Sequence, residues 1–152
     1  MLKINLICVG NLKDKFFIDS ANEYIKRLSR FCSLKVIELK EYTKEDSIQK
    51  TKELEGEEIL KEVKGHFILL DVLGKHLSSE EFAQKLETIE QTNSEISFVI
   101  GGSYGVSDKV KQKANFALSI SKMTFPHRLF RIMLLEQIYR AFTINNNIAY
   151  HK

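Results

Sequence analysis

The sequence predicts a three-layer α/β/α sandwich built on a mainly parallel sheet. Three observations carry this. Strand-like apolar runs alternate with helix-like stretches in a βαβαβαβαβα order. The strand-like runs are apolar at successive positions instead of every second one, the pattern of strands covered on both faces. At 152 residues, with 43% apolar and 28% charged content, the chain has the size of one compact domain, expected to span residues 1–152 without a linker or internal repeat.

Leu2–Val9 reads as the first strand, closed by Gly10. Residues 14–31 read as a helix with Phe16, Phe17, Ala21, Tyr24, Ile25 and Leu28 on its inner side, and residues 34–39 as a second strand. Residues 45–63 form a charged, peripheral helix with a thin stripe of Ile48, Leu54, Ile59, Leu60 and Val63. Residues 66–72 form a third strand. Gly74 follows, and then a helix start, Ser78-Ser79-Glu80-Glu81, whose hydroxyl and carboxylates suit a first turn. Residues 96–100 are a strand, 107–113 a short helix and 116–121 another strand. Pro126, the only proline, fits the first turn of a last helix over residues 126–144, where its missing N–H is not needed. That helix carries more apolar surface than one stripe against a sheet requires, including Leu129, Phe130, Ile132, Met133, Leu134 and Leu135. A homodimer interface is the economical reading; the alternative is complete burial within its own chain.

No basic segment followed by an apolar core and cleavage site opens the chain, and no apolar run reaches membrane-spanning length, so a cytoplasmic protein with no membrane partner is expected. Cys8 and Cys32 are too few for a disulfide framework, and Cys8 reads as a buried structural thiol. His66, His76, His127 and His151 have no metal-ligand spacing, so no metal is expected.

The net charge of +3 is unevenly distributed. Residues 1–100 hold 15 Lys and Arg against 18 Asp and Glu, a net of −3, whereas residues 101–152 hold 8 against 2, a net of +6. Between Asp108 and Glu136 there is no acid, while Lys109, Lys111, Lys113, Lys122, Arg128 and Arg131 all fall there. Such segregation suits a phosphate or nucleic-acid partner, the alternative being a solvated lysine-rich helix around residues 109–113.

Ligands of open parallel sheets bind beyond the carboxyl ends of strands. Three such ends, at residues 70–74, 100–105 and 119–125, are expected to form one crevice. The Gly101-Gly102-x-x-Gly105 turn reads either as a dinucleotide or phosphate cradle or as a structural tight turn. The spacing of the dinucleotide fingerprint is absent, and Ser121-Lys122 stands where a ribose-binding acid would be expected. No Gly-x-Ser-x-Gly supports a serine nucleophile. His127, in a first helical turn where a protonated ring is disfavoured, reads as a hydrogen-bonding structural residue before a base. Tyr150, His151 and Lys152 are either a disordered end or a proton-exchanging pair placed over the crevice.

Leu69-Leu70-Asp71-x-x-Gly74-Lys75, Phe98-Val99-Ile100-Gly101-Gly102-x-x-Gly105, Ser119-x-Ser121-Lys122-Met123-Thr124-Phe125-Pro126-His127, Glu136-Gln137-x-Tyr139-Arg140-Ala141 and Ala149-Tyr150-His151-Lys152 occur in this order. In order, spacing and ending, the whole chain resembles the large-subunit rRNA methyltransferase H family, small members of the SPOUT methyltransferases. The resemblance implies a C-terminal deep trefoil knot and a homodimer. It implies methyl transfer from S-adenosylmethionine to N3 of a pseudouridine in large-subunit rRNA, with the assembled ribosome as partner. By position, Leu70, Gly101, Ile120, Ser121, Lys122, Met123, Thr124 and Phe125 would hold the cofactor. Tyr150 or His151 would handle the N3 proton, from the same or the partner subunit. Arg128, Arg131 and Arg140 would contact phosphates or, equally, form ion pairs on the helix. Ser103-Tyr104 departs from the family's usual residues at this place, so no contact is carried over to it; a tyrosine there suits stacking on a base. A ribosome-binding protein without turnover and a nicotinamide-dependent reductase are the competing readings.

Overall fold

The structure, a computed structural model, describes residues 1–43 and 45–152. Among the described residues, five strands alternate with five helices: β1 (Leu2–Val9), α1 (Lys15–Leu28), β2 (Cys32–Leu39), α2 (Ile48–Glu62), β3 (His66–His76), α3 (Ser79–Thr92), β4 (Glu95–Ile100), α4 (Asp108–Lys113), β5 (Phe116–Ser119) and α5 (His127–Asn145). The strands form one sheet in the order β2-β1-β4-β3-β5, and every pairing is parallel.

Successive side chains of a strand point to opposite faces, and here both faces are apolar. Leu2, Ile4, Leu6 and Cys8 of β1, Ile68 of β3, and Ile96, Phe98 and Ile100 of β4 pack with α1, α3 and α5. Their neighbours Ile7, Val9, Phe67, Leu69 and Val99 pack on the other side with Ile59 of α2 and Val110 of α4. This is the expected sandwich. The polar interruption at Ser97 is fully satisfied: its hydroxyl donates to the Lys64 carbonyl at 2.6 Å and accepts from the Lys64 N–H at 2.9 Å.

Four details differ from the sequence expectation. Strand β3 does not stop at residue 72: residues 71–74 loop out, and the strand rejoins β5 with a register shift, so that both Leu70 and Lys75 face Leu118. Strand β5 ends two residues early, at Ser119. Pro126 is the N-cap of α5, with ψ 137°, not its first helical residue. Finally, Phe16 and Ile48, expected to face inward, are exposed. Phe16 rests on its neighbour Phe17 instead. Helix α2 turns Thr51, Glu55, Gly56 and Ile59 inward, because Gly56 lets it approach Ser107 at the start of α4, and this rotates Ile48 away.

Helix α3 starts with the expected capping box, Ser78 and Glu81 each accepting from the other's backbone N–H, at 3.0 and 2.8 Å. Helix α5 is tied to the sheet by Arg131. Its guanidinium is buried and donates to Glu38 at 2.7 Å and to the Gly10 carbonyl at 3.2 Å, joining α5 to the carboxyl ends of β2 and β1.

Both cysteines are buried, and desolvation of the thiolate pushes each thiol up to about 12, well above the usual 9.0. Below that pH both stay protonated in the native state. A thiol reagent at pH 8 is therefore expected to label neither in native protein and both in denaturant; fast native labelling of Cys8 would contradict the packing of β1.

Candidate active-site cleft

The carboxyl ends of β3 and β4 and the loop after β5 enclose an open cleft of about 200 Å³. These are the three strand ends expected from the sequence. Leu70, Asp71 and Val72 come from β3, Ile100 through Val106 (Ser103 apart) from β4 and its turn, and Thr124, Phe125, His127 and Phe130 from the loop and first turns of α5. Lys52 of α2 and Lys111 of α4 complete the lining.

The glycine turn forms one wall. The Gly105 N–H donates to the Gly102 carbonyl at 3.0 Å, and Gly105 has φ 83°, a left-handed conformation costly for other residues. A Cβ on Gly101 would lie 2.6 Å from Cγ1 of Val106, so only glycine lets the chain fold this closely onto the cleft floor.

The turn is held from beneath. Glu55 of α2 is buried below Gly102, and one of its carboxylate oxygens accepts from the Tyr42 N–H at 3.0 Å. Burial pushes the Glu55 carboxyl above its ordinary range. The adjacent Glu41 accepts from the Ser103 hydroxyl at 3.1 Å. The segment after β2 thus holds the turn directly through Glu41 and, by way of the Tyr42 N–H, fixes the Glu55 that lies beneath it. His127 is held neutral, since burial lowers its pKa and Arg128 and Arg131 lower it further against the opposing pull of Glu41. Its buried Nε2 has no hydrogen-bond partner among the described residues.

Of the eight residues expected to hold a cofactor, Leu70, Gly101, Thr124 and Phe125 line the cleft. Ile120 lines a second, smaller cavity with Leu77, Phe82 and Leu134. Ser121 shapes the loop: its hydroxyl accepts from the Met123 N–H at 3.0 Å, and its carbonyl accepts from the Ser119 hydroxyl at 3.0 Å. Lys122 and Met123 are exposed.

The three arginines have separate fates. Arg128 is at the surface, donating to the Asn11 carbonyl at 3.1 Å. Arg131, expected as a phosphate contact, is 3% exposed and fully engaged by Glu38 and Gly10, so it is a tie within the fold. Arg140 pairs with Glu136 at 2.5 Å and donates to His151 Nδ1 at 3.0 Å.

The C-terminal end is docked on α3 and α5. Arginine can only donate, so His151 accepts at Nδ1 and carries its proton on Nε2, which lies 2.6 Å from Glu80. The Tyr150 hydroxyl donates to Glu136 at 3.1 Å, its ring lying edge-on to Tyr139 and under Arg140. Desolvation, reinforced by Glu136, pushes the Tyr150 phenol up to about 12, so in this position it is a proton donor and not a base. None of these partners lines the cleft. Within one chain, tail and cleft are separate.

Asp71 and Val72 line the cleft as the strand end at residues 70–74 predicts, whereas sequence reasoning missed Lys52, Val106 and Phe130 as lining residues. Lys52 sits in a charged helix, and only the packing of α2 against α4 brings it there. Among the described residues, no group of three or more His, Cys, Asp or Glu is placed to hold a metal, and no helix is long and apolar enough to cross a membrane.

The family model for predicted SPOUT methyltransferases matches residues 2–151. A ribosomal RNA large subunit methyltransferase H of Clostridium acetobutylicum is 50% identical, with 99% of this chain and 100% of the relative covered. Its counterpart in Fusobacterium nucleatum is 48% identical at the same coverage, and that of Caldicellulosiruptor saccharolyticus is 48% identical over 98% of this chain and 99% of the relative. A solved structure of a probable methylase family protein from Haemophilus influenzae superposes with a TM-score of 0.56 at 14% identity, covering 99% of this chain and 70% of its own; that likeness is one of fold. With the family model matched from end to end and relatives at half identity along their whole length, the chain belongs to the SPOUT methyltransferases.

Proposed function

We propose that this protein transfers a methyl group from S-adenosylmethionine to N3 of a pseudouridine in large-subunit rRNA of assembled ribosomes, in the cytoplasm and as a homodimer. The observation that carries the reading is full-length identity of 48–50% to relatives named ribosomal RNA large subunit methyltransferase H. The reading also carries the family's trefoil-knotted C-terminal segment.

The cleft residues fit the cofactor. Leu70, Val72, Ile100, Val106, Phe125 and Phe130 give apolar walls for an adenine ring, and the strand ends offer main-chain donors and acceptors at its edge. At Gly101 the space that a Cβ would fill is taken by the Val106 side chain, so glycine lets Val106 pack onto the turn as part of the cleft wall. Of the loop residues, Thr124 and Phe125 form the opposite wall, and Ser121, Lys122, Met123 and Ile120 contribute through the loop's shape. Bound there, S-adenosylmethionine supplies a methyl group activated by its sulfonium.

The chain's own part is to align the nucleophile and take one proton, since direct displacement depends mostly on positioning. His151 is the candidate acceptor of the N3 proton through its Nδ1 lone pair once Arg140 releases it, with Tyr150 as a hydrogen-bond donor beside it. Because the docked tail lies apart from its own cleft, a second subunit brings tail and cleft together. Helix α5 suits that contact, with Leu129, Ile132 and Met133 only half covered. Arg128, Lys52 and Lys111 are the cations for RNA phosphates, whereas Arg140 is taken up by Glu136 and His151 while the tail is docked. The test is incubation with labelled S-adenosylmethionine and unmodified ribosomes followed by nucleoside analysis. Label in N3-methylpseudouridine supports the reading; unlabelled rRNA, or calorimetric binding of NAD in place of S-adenosylmethionine, sinks it.

Gly101→Ala is expected to weaken S-adenosylmethionine binding about tenfold or more in calorimetry, the cost of a crowded cleft floor. His151→Ala is expected to slow methylation by about 10²- to 10⁴-fold with unchanged cofactor binding. A normal rate across pH would remove His151 from the chemistry. Mixing inactive Gly101→Val and His151→Ala dimers should restore about one quarter of wild-type activity if cleft and tail come from different subunits; no recovery would assign both to one chain.

A further inference from the structure

We propose that Tyr104 is the platform on which the target base stacks at the mouth of the cleft, with Lys52 and Lys111 holding the flanking phosphates. This rests on the RNA-substrate reading above and adds the residue that positions the substrate. The turn that carries Tyr104 is fixed on every side but one. Gly101 lies against Val106, Gly102 against Glu55 and Val9, and Ser103 is tethered to Glu41. The Gly105 N–H closes the turn onto Gly102. Among the described residues, Tyr104 is the corner of the turn left free. It is 56% exposed, yet its residue lines the cleft.

A large aromatic ring held in water on a rigid turn has apolar area to cover. The turn is also open at the adjacent Gly105, where an added Cβ would meet no atom of the described residues within 4 Å. Val72, also lining the cleft and 41% exposed, adds a second apolar surface at the mouth. A protein partner would be met by a broad apolar patch. Here the ring has Lys52 and Lys111 in the same lining, the combination of one π-face and nearby cations that holds an unstacked base and its backbone. Stacking requires the ring and not the hydroxyl, and it acts on the RNA and not on the cofactor bound deeper against Leu70 and Gly101.

The test compares Tyr104→Ala, Tyr104→Phe and Tyr104→Trp in steady-state methylation of ribosomes, with S-adenosylhomocysteine affinity by calorimetry and oligomeric state by sedimentation. The alanine variant is expected to lose about 5- to 150-fold in kcat/KM for ribosomes, the range for loss of one stacked base. The phenylalanine and tryptophan variants should stay within about threefold of wild type. S-adenosylhomocysteine affinity and sedimentation should not change in any of the three. A phenylalanine variant as poor as alanine, an alanine variant equal to wild type, or a loss of S-adenosylhomocysteine binding or of the dimer that matches the loss of activity would each overturn the platform. Failure of the wild type to label rRNA overturns the RNA reading and this inference together; a labelling wild type with any of those variant outcomes overturns this inference alone.

Discussion

Everything in this molecule follows from a sheet whose strands all run one way and whose central strands are apolar on both sides. With β4 at its centre, the sheet must be covered twice, and the five helices divide into α1, α3 and α5 on one face and α2 and α4 on the other. A parallel arrangement also sends every strand's carboxyl end to the same edge. The connections leaving β3, β4 and β5 therefore have to share that edge, and the space between them is the cleft. Arg131 reinforces the same edge by fastening α5 to Glu38 and Gly10, at the ends of β2 and β1.

The cleft wall is stiff for reasons outside the glycine turn itself. A buried carboxylate is costly unless its hydrogen bonds are met, and Glu55 meets one with the Tyr42 N–H while lying beneath Gly102. The segment after β2 is pinned to α2 in this way and pins Ser103 in turn through Glu41. The docked tail is organised by one acid, Glu136, which serves both Arg140 and the Tyr150 phenol. Arg140 then occupies the His151 lone pair, so the two residues best able to exchange protons are both engaged while the tail lies on its own subunit.

The sequence carried the order of elements, the double-faced strands and the three strand ends that meet, because these depend on local apolar pattern and on residues within a few positions of one another. The capping box at Ser78 and Glu81 was readable for the same reason. What the pattern could not carry depends on how helices turn about their axes. Ile48 and Phe16 looked inward by spacing, but Gly56 sets the face that α2 presents, and with it the arrival of Lys52 at the cleft. Arg131 sat in a basic window that suggested a free cation, and only the fold reveals Glu38 opposite it, 93 positions earlier in the chain. The looping out of residues 71–74 was hidden because the strand resumes after it in another register.

The pairing of β1 with β4 has a consequence for how the protein forms. Lys3 stands beside Glu95 and Cys8 beside Ile100, so the centre of the sheet joins the first residues made to ones that follow some ninety positions later. Until β4 is available, β1 can pair only with β2, and both remain an open two-stranded ribbon with a bare edge. Contacts this distant in sequence slow folding, since the loop must close before the pairing rewards it. Synthesis on the ribosome therefore delivers a chain whose central strand is a late arrival, and the glycine turn, which leaves that strand directly, takes shape only once more than two thirds of the protein has been made.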